Sequence, residues 1–208
     1  MPITRAPYVG ERLRAARSDR GVSIRALARD LGVSASLISQ IETGKSQPSV
    51  STLYALTTAL GISVEDVFAA PSDVADPDDA GLPDVLDALG AARGSRVGPL
   101  VRPAERQVLQ LDSGVTWERL GQLPHTHVDF LLITYAPGGT SSSNGGLMRH
   151  RGAEYGFLHS GELSLTLGFD EVVLRPGDAI SFESTTPHRY RNDGTEPAVG
   201  IWFVTGSP

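Results

Sequence analysis

The first third of the chain has the hydrophobic spacing of short amphipathic helices. Apolar residues recur three or four positions apart, as at Ile24, Leu27 and Leu31, which places each set on one helix face. Serine precedes four of these segments and glycine follows four of them, at Ser23, Ser34, Ser49 and Ser63 and at Gly21, Gly32, Gly44 and Gly61. A serine there caps the free amides that begin a helix, and a glycine there permits the left-handed turn that ends one. We therefore predict five short helices within residues 1–70.

From about residue 101 onward the pattern changes to that of short β-strands. The segments are rich in β-branched and aromatic residues, and turn residues separate them: VLQL, TWERL, VDFLLITYA, YGFLHSG, ELSLTLGF, EVVLRPG, AISFES, HRYRN and VGIWFV. Such spacing is typical of a β-sandwich or barrel. The connections are too short for crossover helices, so we expect antiparallel pairing. The fold class is therefore α + β, with helices first and a β-domain over residues 101–208.

Residues 71–100 separate these two regions and differ from both in composition. The run PSDVADPDDAGLPD is rich in Asp, Pro and Gly, and AARGSRVGP is made largely of small residues. Such composition is typical of a linker. We predict a flexible acidic linker with one short helix around Val85 to Leu89. A linker of this length is long for the rigid transmission of a movement from one region to the other. We therefore expect any coupling between effector binding and DNA binding to pass through contacts between the β-domains of a dimer.

Composition narrows the class of protein. The chain of 208 residues is 40% hydrophobic and 20% charged, which is typical of a globular protein, and it has no cysteine. Disulfides and thiolate metal sites are therefore excluded. No apolar run approaches the length of a membrane span, and the N-terminus lacks the apolar core of a secretion signal. We expect a cytoplasmic protein.

Charge is distributed unevenly along the chain. Residues 1–70 carry 8 Lys+Arg and 6 Asp+Glu, a net charge of +2, whereas residues 71–208 carry a net charge of −8 within a total of −6. Nucleic acid attracts positive surfaces. Any contact with DNA is therefore expected in the helical region.

One helical segment carries a specific motif. In SIRALARDLGVSASLISQIETGKSQPS, residues 23–49, the turn LGVS joins two short helices. That is a helix-turn-helix, whose second helix can enter the major groove of DNA. Residues from about Tyr8 to Phe68, and above all the core IsQIExGkxxPS, resemble the lambda-repressor/Xre family. The resemblance implies a five-helix DNA-binding domain in which Arg17 and Glu42 form a structural ion pair.

The chemistry of the second helix suits the reading of bases. Gln40 can make two hydrogen bonds to the major-groove edge of adenine, and Ala35 can touch a thymine methyl. The resemblance assigns Ala35, Ser36 and Gln40 to base-reading positions, and Ser39 lies on the same solvent side. Phosphate contacts position a protein on DNA without reading its sequence. The remaining predicted contacts, mostly to phosphate, are Ser23, Arg25, Ser34, Lys45 and Gln47.

Two segments of the β-region resemble the motifs of the cupin family. They are LMRHRGAEYGFLHSGEL and RPGDAISFESTTPHRYRN, and the resemblance covers about residues 104–206. It implies an antiparallel, jelly-roll-like β-barrel. The positions that match its motifs are His150, Glu154, Gly161, Pro176, Gly177, Asp178, His188 and Asn192. Met148 stands where the family has its first histidine. We expect Met148 and His150 to lie on one strand, where residues two apart point the same way, here into the barrel interior.

His150, Glu154 and His188 have two alternative interpretations. Two imidazoles and a carboxylate can bind a divalent metal such as Fe(II), Zn or Mn. They can equally form a hydrogen-bonded polar cluster in the wall of a ligand pocket. Met148 is a poor ligand for these metals, because thioethers prefer softer ions. The predicted effector pocket is lined by Met148, His150, Glu154, His188, Tyr190 and Trp202.

Three further histidines are expected to be exposed to solvent. His125 and His127 have the spacing of metal ligands, but they follow Pro124 at the edge of a loop and lack a nearby carboxylate. His159 precedes the turn at Gly161. None of these three is assigned to the site.

These motifs together predict a sequence-specific transcriptional regulator. The helices would bind a double-stranded DNA operator as part of a homodimer, and the β-domain would sense a small-molecule effector. The alternative is a mononuclear iron oxygenase, because the joined architecture also resembles that of hydroxypropylphosphonate epoxidase. In that case His150, Glu154 and His188 would be the iron ligands.

Overall fold

The computed structural model describes residues 9–68, 100–121 and 128–206 of the chain. The predicted linker, its short helix at Val85 to Leu89 and the pair His125 and His127 lie outside these ranges. The five predicted helices are confirmed: α1 Val9–Asp19, α2 Ile24–Leu31, α3 Ala35–Glu42, α4 Val50–Leu60 and α5 Val64–Phe68. None of the helices in the described ranges has the length and apolar character that a membrane span requires.

The helix caps predicted at serine are present. The Ser23 and Ser34 hydroxyls each accept a hydrogen bond from a backbone amide three residues on, at 3.1 Å. Ser63 and Asp66 cap each other reciprocally, as a capping box does. Gly32, just after α2, has φ +66, a conformation that only glycine adopts at little cost. Local sequence therefore determines where each of these helices begins and ends.

Loss of the cap on α4 is expected to destabilise the helical region. Ser49 is buried, and its hydroxyl accepts a hydrogen bond from the Thr52 amide at 3.2 Å. Ser49→Ala should lower the free energy of unfolding by about 1 kcal/mol, because one amide of the first turn loses its acceptor. Urea unfolding followed by the helical circular dichroism signal measures this change. Ser18→Ala, at an exposed position near the end of α1, is the control. Equal loss in both variants would contradict the cap.

A buried ion pair joins α1 to α3. The Arg17 guanidinium contacts both Glu42 carboxylate oxygens, at 2.6 Å and 2.9 Å, and donates to the Val22 carbonyl at 2.8 Å. The hydrogen bond to Glu42 raises the pKa of Arg17. The pair predicted from the resemblance is therefore confirmed, and it fixes α3 against the bundle.

The nine predicted strands are also confirmed, and they are antiparallel. Their bounds are β1 Val108–Leu111, β2 Val115–Gly121, β3 Val128–Tyr135, β4 Ala153–Ser160, β5 Leu163–Leu167, β6 Asp170–Leu174, β7 Ala179–Glu183, β8 His188–Arg191 and β9 Ala198–Thr205. They form a six-stranded sheet in the order β1-β2-β3-β9-β4-β7 and a three-stranded sheet in the order β6-β5-β8.

The antiparallel sheets of the predicted jelly-roll-like barrel are present, but they do not close into a barrel within the described residues. The two sheets are joined by isolated bridges, Thr140 to Arg191 and Met148 to His188, rather than by a continuous ladder. Met148 and His150 were expected on a strand. They lie instead in the irregular segment before β4, whose backbone meets the small sheet only at isolated bridges. Both side chains are nevertheless buried, which agrees with the prediction that they point inward.

The helical region packs directly against the β-domain. Buried hydrophobic residues of both regions belong to one core cluster. Backbone hydrogen bonds cross the boundary from Ser51 N to Ser141 O and from Asp112 N to Pro48 O, both at 2.9 Å. The Gln107 side chain donates to the Phe68 carbonyl at 3.2 Å. The two regions are therefore in contact independently of the linker.

Candidate functional site

The α3 helix has the form that a DNA-reading helix requires. Ile38 and Ile41 on its inner face are buried in the helical core. Its opposite side is open to solvent, since Ser36, Ser39 and Gln40 are exposed. A short helix held in this way presents a rigid polar face to a groove.

Eight of the nine predicted DNA-contacting residues are exposed. They are Ser23, Arg25, Ser34, Ser36, Ser39, Gln40, Lys45 and Gln47. Ala35 differs, because it is partly buried and packs against the helical core. It offers less surface to a base than the sequence suggested. The roles of all nine remain predictions.

The three candidate metal ligands converge in the interior between the two sheets. His150 precedes β4, Glu154 lies on β4, and His188 begins β8. The Nε2 atoms of the two histidines lie 2.9 Å and 3.0 Å from the same Glu154 oxygen, Oε1. One ligand atom from each residue lies within 4.8 Å of the others, and all three side chains are buried. The grouping predicted from the spacing of the motifs is therefore present.

The hydrogen bonds of the histidine rings favour a cation among these atoms. His188 Nδ1 lies 2.8 Å from the Thr186 carbonyl, which can only accept, so this nitrogen carries the proton. In neutral imidazole, Nε2 then bears a lone pair. It faces Glu154 Oε1 off the hydrogen-bonding direction, and it has no hydrogen-bond partner in the described residues. Two lone pairs facing each other are unfavourable unless a cation lies between them. A backbone carbonyl on the outer ring nitrogen is also the usual support of a histidine metal ligand.

Glu154 is held as a carboxylate. Burial alone would raise its pKa, but the adjacent imidazoles of His150 and His188 outweigh this and lower the pKa to about 2. A buried negative charge requires compensation. The site can therefore accept a divalent cation, and the donor set of two imidazoles and a carboxylate fits one.

Two aromatic side chains support the second oxygen of Glu154. The Tyr190 hydroxyl donates to Glu154 Oε2 at 2.8 Å, and Trp202 Nε1 donates to that hydroxyl at 3.2 Å. Burial raises the pKa of Tyr190 well above its ordinary value, so the phenol keeps the proton that it donates. This chain of donors fixes the carboxylate, and both aromatic residues were predicted as pocket residues.

The site is completed by residues that were not predicted from the sequence. The cavity beside Glu154 is about 10 Å³ in volume, and its unpredicted lining residues are Val50, Tyr54, Trp117, Ile133, Tyr135 and Val204. Alternation in strands β2, β3 and β9 indicates which of their residues face inward. No comparable signal exists for Val50 and Tyr54, because they belong to α4 in the other region.

The remaining histidine in the described part of the chain lies apart from the site. His159 is exposed on β4, as expected from the sequence. Its exposure leaves it with no assigned role.

Two family models match the chain. Residues 9–69 match the model of a helix-turn-helix domain, and residues 131–204 match the model of a cupin domain. The two matched ranges coincide with the α-helical and β-sheet regions described above.

Known proteins resemble the chain over part or most of its length. The HTH-type transcriptional regulator PuuR of Escherichia coli (strain K12) is 27% identical over 185 residues, which cover 88% of this chain and 86% of PuuR. The HTH-type transcriptional regulator DdrOP3 of Deinococcus deserti is 33% identical over 91 residues, 43% of this chain and 70% of DdrOP3. The crystal structure of an HTH_3 family transcriptional regulator from Vibrio cholerae has a TM-score of 0.62 at 23% identity. The superposition covers 97% of this chain and 96% of the Vibrio cholerae chain, so the two proteins have the same fold.

Proposed function

We propose that this chain, which matches the models of a helix-turn-helix domain and a cupin domain, is a transcriptional regulator that reads a DNA operator with α3 and senses a small-molecule effector with the cupin domain. The observation that carries the DNA-binding part is the exposed polar face of α3 on an ion-paired and capped helical bundle. We expect this regulator to act in the cytoplasm, where DNA is accessible.

The residues exposed on α3 suit sequence reading. Gln40 offers a donor and an acceptor that match adenine, and the hydroxyls of Ser36 and Ser39 can bond either a base or a phosphate. Lys45 and Gln47 follow in the exposed loop before α4, where they can contact phosphates. Few of the residues assigned to reading bases carry a positive charge. Phosphate contacts and the α3 helix of a second copy of the chain would therefore supply much of the affinity for DNA.

The interior of the cupin domain suits a polar small molecule. Trp117 is buried and lines the cavity, and its indole N–H has no hydrogen-bond partner among the described residues. An unpaired buried donor is costly, and an effector that accepts a hydrogen bond from this indole would regain that free energy.

We expect His150, Glu154 and His188 to hold a divalent Fe, Zn or Mn ion beneath this effector site. Such an ion would supply positive charge opposite the Glu154 carboxylate and would join the two sheets through its ligands. Met148 is buried beside these residues, but its thioether is the wrong donor for the three metals. It therefore contributes packing and not coordination.

The alternative function, an iron oxygenase that uses the same three ligands, is not favoured by the relatives, which are named as transcriptional regulators. A metal triad does not by itself define a reaction. Oxygen uptake by protein reconstituted with Fe(II) distinguishes the two functions, because the regulator should show no sustained uptake with candidate effectors.

The proposed function is tested by a gel-shift titration with the DNA upstream of the chain's own gene. A regulator of this type should shift that DNA in the presence of excess unrelated DNA, and the shift should weaken as salt increases. Equal binding to both DNAs, with and without candidate effectors, would reject sequence-specific regulation.

An aromatic patch on the outer face of the large sheet supports a homodimer. It consists of Phe130, Tyr155, Phe157 and Phe203, on the adjacent strands β3, β9 and β4. The rings of Phe130 and Phe203 stack at 4.4 Å, and Tyr155 and Phe203 are paired in register. Tyr155 is 52% and Phe203 42% exposed. A second copy covering this patch would bring two α3 helices to one operator.

Phe203→Thr is expected to weaken the homodimer by roughly tenfold, because the aromatic patch loses its central ring in both copies. Threonine retains the preference for a strand. Native mass spectrometry over a concentration series measures the dimer fraction. Val172→Thr changes a similarly exposed residue on the small sheet and should leave the dimer intact. A monomeric wild type, or equal dimerisation of all three proteins, would contradict a dimer through this patch.

A further inference from the structure

We propose that Tyr54 is a latch between the two regions: its ring closes the cupin interior while the helical region is docked, and an effector that enters must displace it and so release the DNA-binding helices. The inference rests on the proposed function, and it names the route by which the effector site controls operator binding.

Tyr54 joins α4 to the metal-ligand triad. Its ring lies flat on the imidazole of His150, with 3.9 Å between centroids and 2° between planes. It also meets Trp117 edge to face at 5.9 Å. Tyr54 is buried. It belongs to α4 of the DNA-binding region, but its ring lies in the interior of the cupin domain. A shift of His150 would therefore displace Tyr54, and with it α4.

The first turn of α4 is held to the β-domain by the same contact region. The Ser51 amide donates to the Ser141 carbonyl, and the Pro48 carbonyl accepts from the Asp112 amide. Directly before these residues runs the loop with Lys45 and Gln47, which follows α3 in the chain. Movement of α4 would thus displace α3 and that loop relative to the β-domain.

The interior is too small to hold both the Tyr54 ring and a ligand, so docking of the helical region competes with ligand entry. The cavity of about 10 Å³ holds about one water molecule and is too small for an organic ligand. Yet Trp117, which lines this cavity, has an indole Nε1 without a hydrogen-bond partner in the described residues. Of the aromatic side chains around the cavity, Tyr54 alone comes from the helical region, so it can withdraw without breaking a strand ladder. Movement of Tyr54 out of the interior is therefore the simplest way to make space for a ligand.

The two arrangements form the bistable element that coupling between sites requires. In the docked arrangement, a dimer formed through the β-domains holds its two α3 helices at a set separation, which favours one operator. Withdrawal of Tyr54 frees the helical regions, and operator binding must then order them again, at a cost in affinity. This direct contact is a different route from the contacts between β-domains that the length of the linker had suggested.

Hydrogen exchange at the Ser51 amide tests the latch on the full chain without DNA. Tyr54→Leu keeps apolar volume but removes the planar ring, whereas Tyr54→Phe keeps the ring. We expect Ser51 to exchange roughly five- to tenfold faster in the leucine variant, as the loss of a stacked pair implies, and near the wild-type rate in the phenylalanine variant. Thr58→Ala, at an exposed position on the same helix, is the matched control and should also exchange as the wild type does.

Acrylamide quenching of tryptophan fluorescence reports whether the interior has opened. The chain has two tryptophans, Trp117 and Trp202, and both are buried against the cavity. Quenching should increase in Tyr54→Leu and not in Tyr54→Phe. Circular dichroism and thermal melting establish that each variant is folded, so that a change in quenching reports opening.

Three outcomes would overturn the latch. One is wild-type exchange at Ser51 in Tyr54→Leu, and another is faster exchange without increased quenching. The third is faster exchange with wild-type affinity for the operator, since the proposal expects affinity to fall by the same factor as protection. Exchange and quenching are measured without DNA, so they decide whether Tyr54 closes the interior whether or not the protein binds an operator. Failure of the wild type to bind any operator would instead reject the proposed function.

Discussion

The double variant Ser36→Ala/Gln40→Ala is expected to bind the operator at least about 100-fold more weakly than the wild type. Both side chains are exposed on α3. A bidentate contact from glutamine to adenine contributes about 1–3 kcal/mol of discrimination against other bases, and loss of the serine hydroxyl adds to it. Fluorescence anisotropy with labelled operator at a fixed salt concentration measures the change.

The control for this variant separates base reading from general attraction to DNA. Binding to unrelated DNA should change little, because neither side chain is charged and phosphate contacts dominate that binding. Gln110→Ala, at an exposed position on β1, should bind both DNAs as the wild type does. An equal fall in affinity for operator and unrelated DNA would show that α3 does not read bases.

Glu154→Gln is expected to lower the affinity of the cupin domain for divalent metal by at least about 100-fold. Glutamine has nearly the same shape, but it replaces the only carboxylate of the triad with a neutral amide, and a single change beyond the ligands already costs 10- to 100-fold. Titration with Co(II), followed by its visible absorption, measures the affinity. Elemental analysis of the purified protein measures the metal that it retains.

Met148→Leu serves as the control for that prediction. Leucine keeps the buried volume and removes the sulfur, so metal affinity should stay near that of the wild type. If Glu154→Gln binds metal as tightly as the wild type, the ligands are not His150, Glu154 and His188. If the wild type itself binds none, the hydrogen-bonded cluster is the correct interpretation of these three residues.

Local sequence signals account well for the helical region. Ser23, Ser34 and Gly32 act within one or two turns of their own positions, so their caps and turns are predictable without knowledge of the fold. The ion pair of Arg17 and Glu42 spans 25 positions and was predicted only through the resemblance to a family. Once α1 and α3 pack together, the pair follows from burial, because each charge needs a partner.

The site between the sheets was predictable in composition but not in its packing. The spacing of His150, Glu154 and His188 indicated that they converge, and Tyr190 and Trp202 were assigned to the interior that the cupin resemblance implies. Whether the sheets close into a barrel depends on single bridges such as Met148 to His188, which periodicity does not report. The irregular segment before β4 leaves the two sheets without a continuous ladder.

Tyr54 shows most clearly where prediction from the sequence ends. Within α4 its spacing is that of an ordinary apolar position, and no motif marks it. Its role arises from the docking of α4 on the β-domain, which brings it onto a histidine 96 positions further along the chain. Contacts between regions that are far apart in the sequence have no local signature, because neither periodicity nor capping depends on them.

The central claim, that this chain is a sequence-specific DNA-binding regulator, is tested most directly by selecting operator sequences from a random DNA library with the purified full-length protein. We predict enrichment of a two-fold symmetric sequence whose half-sites lie about one helical turn apart, or a multiple of it. The Ser36→Ala/Gln40→Ala variant should fail to enrich the same sequence. A library that remains random after repeated rounds with the wild type would contradict the claim.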